Sequence, residues 1–169
     1  MRKRLLLKFS LLFSFTIGLL ILSILSFIYP VYSENDTTFS IPLPSNPHGI
    51  AINPETDIVV IASEKTDSVS IVDLNTRKVI ATIPVGKSPK AVAIDRKLNI
   101  ALVSNSKDNS VTVIDLKNNS AIKTIPVGKE PEGIAVDQVN HIVLVTNHKD
   151  GTVSIIDLAT HTILDTIPV

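Results

Sequence analysis

The stretch Ile125-Pro126-Val127-Gly128-Lys129-Glu130-Pro131-Glu132-Gly133-Ile134-Ala135-Val136 restates Ile83-Pro84-Val85-Gly86-Lys87-Ser88-Pro89-Lys90-Ala91-Val92-Ala93-Ile94, 42 residues earlier. Another 42 residues back stands Ile41-Pro42-Leu43, and Ile167-Pro168-Val169 closes the chain. The second and third copies agree at 19 of 42 positions, with no slip in register. A fixed period of this length marks a solenoid, propeller or array. It also makes the chain its own comparison. Features kept in all three copies belong to the scaffold, and exposed positions that differ between copies are where function can reside.

Each copy holds four β-prone runs bounded by turn residues. In the third copy they are Gly133–Val136, Ile142–Thr146, Thr152–Ile156 and Thr162–Ile167. No segment after residue 40 carries the i, i+3, i+4, i+7 apolar spacing of a helix. The fold class is therefore all-β, with three blades of a β-propeller, each of four antiparallel strands. The Asp150-Gly151 pair, Asp108-Asn109 and Asp67-Ser68 predict tight hairpins between the second and third strands. Pro42, Pro84, Pro126 and Pro168 fall in a fourth strand. Proline donates nothing to a β ladder, so that strand lies at the outer edge. Asp73, Asp115 and Asp157 recur at the end of the third strand. They read as structural turn residues, because Asp there accepts backbone N–H groups two residues on.

The expected organisation is 1–33 signal peptide or membrane anchor, 34–40 linker and leading strand, and blade repeats at 41–82, 83–124 and 125–169. The N-terminus carries Arg2, Lys3, Arg4 and Lys8, then an uncharged stretch from Phe9 to Ser33. Val31-Tyr32-Ser33 offers a small-x-small cleavage site. The competing reading is an uncleaved anchor over 9–28, near the ~20 residues that span a bilayer. Both place the repeats outside the cytoplasm: secreted, periplasmic or at the cell surface. The chain has no Cys, which excludes disulfides and Cys-linked c-type heme. Beyond residue 33 there are 12 Lys and Arg against 16 Asp and Glu, so no basic face for nucleic acid is expected. Beyond Phe39 there is no Phe, Tyr or Trp, so ligand stacking on aromatic rings is unavailable there.

The segments Gly133-Ile134-Ala135-Val136-Asp137, Leu144-Val145-Thr146-Asn147, Thr152-Val153-Ser154-Ile155-Ile156-Asp157 and Thr166-Ile167-Pro168-Val169 together resemble the YVTN β-propeller repeat. The resemblance covers residues 41–169. It implies a propeller of the surface-layer or secreted type outside the cytoplasm, and it does not imply a shared activity.

Three blades fall short of the four to eight typical of a closed ring. Thr38-Phe39-Ser40-Ile41-Pro42-Leu43 looks like a fourth strand without its blade. Two explanations stand: further blades follow in a longer protein, or two chains combine as a homodimer in one six-bladed ring. In a propeller the loops between blades and those between the second and third strands share one face around the channel mouth. The candidate binding mouth is therefore His48, Lys90 and Glu132 with Glu64, Ser106 and His148. His48, His148 and Glu132 have ligand chemistry suited to a metal, without a supporting sequence spacing. His141 and His161 fall in turns on the opposite face and read as surface residues.

No catalytic, cofactor or metal motif is present. The functional expectation is a non-catalytic binding or surface scaffold with an unidentified protein or surface partner. The alternatives are part of a propeller enzyme, a lyase or oxidoreductase with its chemistry in other blades, and a sensor ectodomain held by residues 9–28.

Overall fold

The structure is a computed structural model that describes residues 40–44 and 46–169. The expected signal or anchor, and the leading strand as far as Phe39, lie outside the described residues. Among the described residues twelve strands form three separate four-stranded antiparallel sheets in sequence order. Blade 1 is β1 (Pro47–Asn53), β2 (Ile58–Ser63), β3 (Ser68–Asp73) and β4 (Lys78–Pro84). Blade 2 is β5 (Pro89–Asp95), β6 (Ile100–Asn105), β7 (Ser110–Asp115) and β8 (Ser120–Pro126). Blade 3 is β9 (Pro131–Asp137), β10 (Ile142–Asn147), β11 (Thr152–Asp157) and β12 (Thr162–Pro168). The 42-residue period is thus one blade.

Pro84, Pro126 and Pro168 are the last residues of the edge strands β4, β8 and β12, where a missing N–H costs nothing. Pro42 departs from the expectation. Residues 40–43 are irregular, not a strand, although Ile41 and Leu43 pack against Val59, Ile61 and Val72 on blade 1. Each edge strand skips one residue in its pairing, at Ile80, Ile122 and Leu164. This repeated β-bulge turns those three large side chains outward, and all three are exposed.

The first strands are innermost: β1 lies beside β5, and β5 beside β9. A Cβ on Gly49 would come within 2.3 Å of the Lys90 carbonyl oxygen, so only glycine allows this approach of β1 to β5. The sheets stack face to face with purely aliphatic cores. Val60, Ala62, Val69, Ile71 and Ile83 of blade 1 bury against Ala101, Val103, Ile114 and Leu116 of blade 2. Leu102, Val111, Val113 and Ile125 of blade 2 bury against Val143, Val145, Ile156 and Leu158 of blade 3. Each buried Val, Ile or Leu among them contributes about 1.5–3 kcal/mol by leaving water. Alternation along the strands gives every blade two apolar faces, as a stacked sheet requires.

The Ile-Pro-Val-Gly motif has a steric cause. The Asn105 side chain is buried, and its Nδ2 donates to Ser110 Oγ (3.0 Å) and Thr112 Oγ1 (2.9 Å). Asn147 repeats the pattern with Thr152 and Ser154. A Cβ on Gly86 would lie 2.7 Å from the Asn105 amide, and one on Gly128 within 2.5 Å of Asn147. In the first copy Ser63 replaces the asparagine and Pro44 replaces the glycine. The smaller side chain and the larger neighbour appear together.

The turns differ from simple two-residue hairpins. In blades 1 and 2 a single 3-10 turn, Glu64–Thr66 or Ser106–Asp108, links the second and third strands and ends on one left-handed residue, Asp67 or Asn109. Gly151 takes that place in blade 3. Every described turn uses one such residue: Asp57, Asn99 and His141; Arg77, Asn119 and His161; Asn46, Ser88 and Glu130.

Candidate functional site

Three cavities lie on the face formed by the interblade loops and the loops after β2, β6 and β10. One, about 440 Å³, spans all three blades; Glu64, Ser88, Lys90, Ser106, Lys107, Asn109, Lys129, Glu130 and Lys149 line it. Another, about 450 Å³, lies between Asn46, Glu64, Lys65 and Asp67 and the following loops at Lys87, Ser88 and Lys107. The third, about 350 Å³, faces the channel side of β1 and β5 and is lined by His48, Gly49, Ile50, Lys90, Ala91, Val92 and Glu132. Among the expected mouth residues, the structure thus brings Glu64, Lys90 and Ser106 together in the first cavity and His48, Lys90 and Glu132 in the third. Lys90 belongs to both. His148 lines none of the three; it is exposed, and its backbone N–H donates to the Glu130 carbonyl (3.1 Å). His48, His148 and Glu132 therefore do not gather, and among the described residues no group of three metal-ligating side chains is assembled.

Glu64 is the polar centre of the mouth. Its carboxylate accepts from Lys90 Nζ (2.8 Å), Ser88 Oγ (2.9 Å) and Asn46 Nδ2 (2.9 Å), joining blade 1 to the start of blade 2. The hydrogen bond from Lys90, then that from Ser88, holds its pKa down at about 2. Glu64 is therefore an anion at any physiological pH, unsuited to general acid–base work near neutrality. The equivalent residues Ser106 and His148 give the other blades a different polarity. Lys149 pairs with Glu130 (3.1 Å) and Lys129 with Asp150 (3.8 Å). The result is a set of opposite-charge pairs across the three blades, Glu64–Lys90, Lys129–Asp150 and Lys149–Glu130, that can form salt-linked contacts with a complementary surface.

The loops carrying these groups are tied across blades. Asp67 accepts from the Ser88 N–H (2.8 Å), and Asn109 from the Glu130 N–H (3.0 Å). Asp108 and Asp150 accept from the Lys87 and Lys129 N–H groups, both at 2.7 Å. These ties hold the mouth as a fixed surface.

Asp73, Asp115 and Asp157 lie away from the mouth. Their carboxylates accept from the N–H groups of Asn75 (2.8 Å), Lys117 (2.8 Å) and Ala159 (2.7 Å). For Asp157 the Ala159 N–H and the Thr160 hydroxyl lower the pKa; for Asp73 and Asp115 burial pushes it up, but backbone N–H groups together with side-chain donors, Thr76 and Asn118, more than offset it and the pKa is lowered.

At that same end the structure shows a link missed by reading His141 as a surface residue. His141 Nδ1 meets the fully buried carboxylate of Asp95 at 2.6 Å, joining blade 3 to blade 2. One period earlier, Asn53 Nδ2 donates to Asn99 Oδ1 (3.1 Å) across blades 1 and 2. The only signal in the sequence was the 42-residue equivalence of Asn53 with Asp95 and of Asn99 with His141.

Among solved structures the chain is similar to hydrazine synthase of Kuenenia stuttgartiensis, with a TM-score of 0.69 and 25% identity over 77% of this chain and 38% of that one. It is similar also to the WD40 repeats of RRP9, with a TM-score of 0.69 and 12% identity over 76% of this chain and 40% of that one. The chain spans about two-fifths of the length of these two structures. No curated protein matches it. Both likenesses agree with the blade-by-blade architecture in giving a β-propeller. The family of the Cytochrome D1 heme domain matches residues 53–169, from the end of β1 through all remaining strands, and the chain belongs to that family.

Proposed function

We propose that this chain is an extracytoplasmic, non-catalytic β-propeller scaffold, of the surface-layer or secreted type that the YVTN-like repeats suggest, which binds a protein or surface partner through its loop face. The observation that carries this reading is the mouth itself. Loops from three blades are tied into one charged rim whose side chains differ from copy to copy, over a scaffold whose core positions repeat. The basic, apolar N-terminal segment supports export. The test has two parts. Fractionation of cells expressing the whole chain, with N-terminal sequencing, should find the protein outside the cytoplasm; retention in the cytosol sinks the placement. Binding to a cell-envelope fraction should survive chelation and be lost in the Glu64→Lys/Lys90→Ala double variant. Binding unchanged by that variant moves the site away from the mouth.

A second reading, part of a propeller enzyme, is favoured by the family's name and by the likeness to hydrazine synthase. The group implied is a heme. An iron held by a protein imidazole needs that imidazole over a flat, largely apolar slot. His48 supplies an imidazole beside the channel, but its surroundings are Lys90 and Glu132, and Ile50 on the same strand is 67% exposed. Lys90 is already engaged by Glu64. The described residues do not build a heme pocket, so no heme chemistry is derived from them. Titration of the chain with heme, followed by its Soret absorbance, separates the readings: saturable one-to-one binding lost in His48→Ala favours the enzyme.

A further inference from the structure

We propose that the cavity spanning the three blades is an oxyanion site, with Ser106, Lys107 and Asn109 of the loop after β6 as its donors. The proposal rests on the reading of the loop face as the binding surface, and it names the chemistry that this face takes. The molecule already holds one anion there. The Glu64 carboxylate lines the cavity and accepts from an amine, a hydroxyl and an amide: Lys90 Nζ, Ser88 Oγ and Asn46 Nδ2. The loop after β6 sets out the same three donor types, and among the described residues they meet no acceptor.

Ser106 stands one period after Glu64, so a hydroxyl replaces a carboxylate at that place. It is only 8% exposed and lines the cavity, yet its Oγ makes no hydrogen bond with the described residues. A hydroxyl so buried needs a partner. Asn109 spends its Oδ1 on the Glu130 N–H (3.0 Å), which orients the amide and leaves Nδ2 as a donor. Lys107 Nζ enters no ion pair with the described residues, whereas Lys90, Lys129 and Lys149 around it each have one. Blade 2 has a blade on either side, so these donors belong to the interior of the repeat and not to its ends.

The acceptors of the cavity are occupied. Glu64 takes three donors, and Glu130 takes Lys149 Nζ (3.1 Å). Beside the cavity, Asp108 and Asp150 accept the Lys87 and Lys129 N–H groups, both at 2.7 Å. Four lysines line the cavity against two glutamates, an excess of two positive charges in a chain that is acidic beyond residue 33. Lysines grouped around one cavity raise the local concentration of anions. The loop is already fixed by the ties from Asp108 and Asn109, so a ligand orders little on arrival. The group that suits an amine, a hydroxyl and an amide with no acceptor among them is a phosphate or carboxylate, either free or carried by the surface partner.

The whole chain is titrated with inorganic phosphate by calorimetry at low ionic strength. Saturable one-to-one binding is expected, weakening as sodium chloride is added. Lys107→Ala should weaken it about tenfold and Ser106→Ala about threefold. Lys107→Arg should keep it, as should Lys117→Ala on the opposite face. Ser106→Glu copies blade 1, sets a carboxylate among the donors and should abolish it. No saturable binding, or binding indifferent to Lys107→Ala and Ser106→Glu, overturns the site: phosphate is then an adventitious ion only. Competition identifies the source of the anion. Phosphate that displaces the chain from the envelope fraction supports an oxyanion carried by the partner; phosphate that binds without displacing it supports a site for the free ion. An envelope fraction that never binds the chain, while phosphate does, sinks the scaffold reading and leaves the oxyanion site standing.

Discussion

Replacing Gly86 with Ala tests the packing rule behind the repeat motif. The glycine does not occupy a left-handed backbone, so an added methyl acts by sterics alone. It would stand 2.7 Å from Cγ and Nδ2 of Asn105 and 2.8 Å from its Cβ. Asn105 is fully buried and cannot swing into solvent. To yield, it must give up its hydrogen bonds to Ser110 and Thr112. Two such bonds, at about 0.5–1.5 kcal/mol each, plus overpacking at about 1–3 kcal/mol, give an expected loss of roughly 2–6 kcal/mol. Asn105→Ser copies the first blade, where Ser63 and Pro44 stand at the equivalent positions, and should relieve the clash. A double-mutant cycle read by urea unfolding should therefore show a favourable coupling of about 1–2 kcal/mol between Gly86→Ala and Asn105→Ser. A Gly86→Ala penalty below about 0.5 kcal/mol, or additive effects, would refute the steric account.

The Asp95–His141 link gives a related test. His141→Ala leaves a buried carboxylate with the Leu98 N–H as its remaining partner (2.9 Å) and should cost about 2–3 kcal/mol. The double variant Asp95→Asn/His141→Asn recreates the Asn53–Asn99 pair and should recover most of that loss in a thermal melt. Glu64 predicts an acid response. Its folded pKa, about 2, lies below the ordinary 4.5, so its stabilisation is complete above that value and is lost as pH falls towards 2. The wild-type chain should lose stability across that window more steeply than Glu64→Gln, measured as melting temperature against pH. Leu102→Ala, in the core between blades 2 and 3, should cost about 2–5 kcal/mol, measured by urea unfolding.

The repeat made the blade visible because its signals are local and multiplied. Val-Ile runs, turn residues and edge prolines each appear three times, and strand boundaries follow from them. Signals that depend on neighbouring blades stayed hidden. The Asp95–His141 pair joins residues 46 apart, and nothing at His141 itself distinguishes a link from a solvated turn. Gly86 read as part of a motif, but its cause is the Asn105 amide 19 positions away. The leading segment misled for a different reason. Ile41-Pro42-Leu43 carries the edge-strand pattern, yet residues 40–43 make no ladder, and its apolar side chains settle on blade 1 instead. For the mouth, topology placed these loops on one face, where Glu64, Lys90 and Ser106 line one cavity. It did not foresee that His148 would stand apart, because side-chain direction at a loop tip is set by local backbone geometry.

The left-handed turn residues have a consequence for engineering. Twelve described positions hold positive φ, and Gly151 alone among them is glycine. A non-glycine residue there costs on the order of 1 kcal/mol in backbone energy, least for Asn and Asp. Some of these side chains, such as Asp67, Asn109 and His141, compensate by bridging blades. His161 belongs to the turn before the edge strand β12, far from the interblade bridges at Asp67 and Asn109. Changing it to glycine or asparagine offers a route to a more heat-resistant protein that leaves the aliphatic core and the charged rim untouched. The turns are thus a thermostability reserve that the molecule has left undrawn.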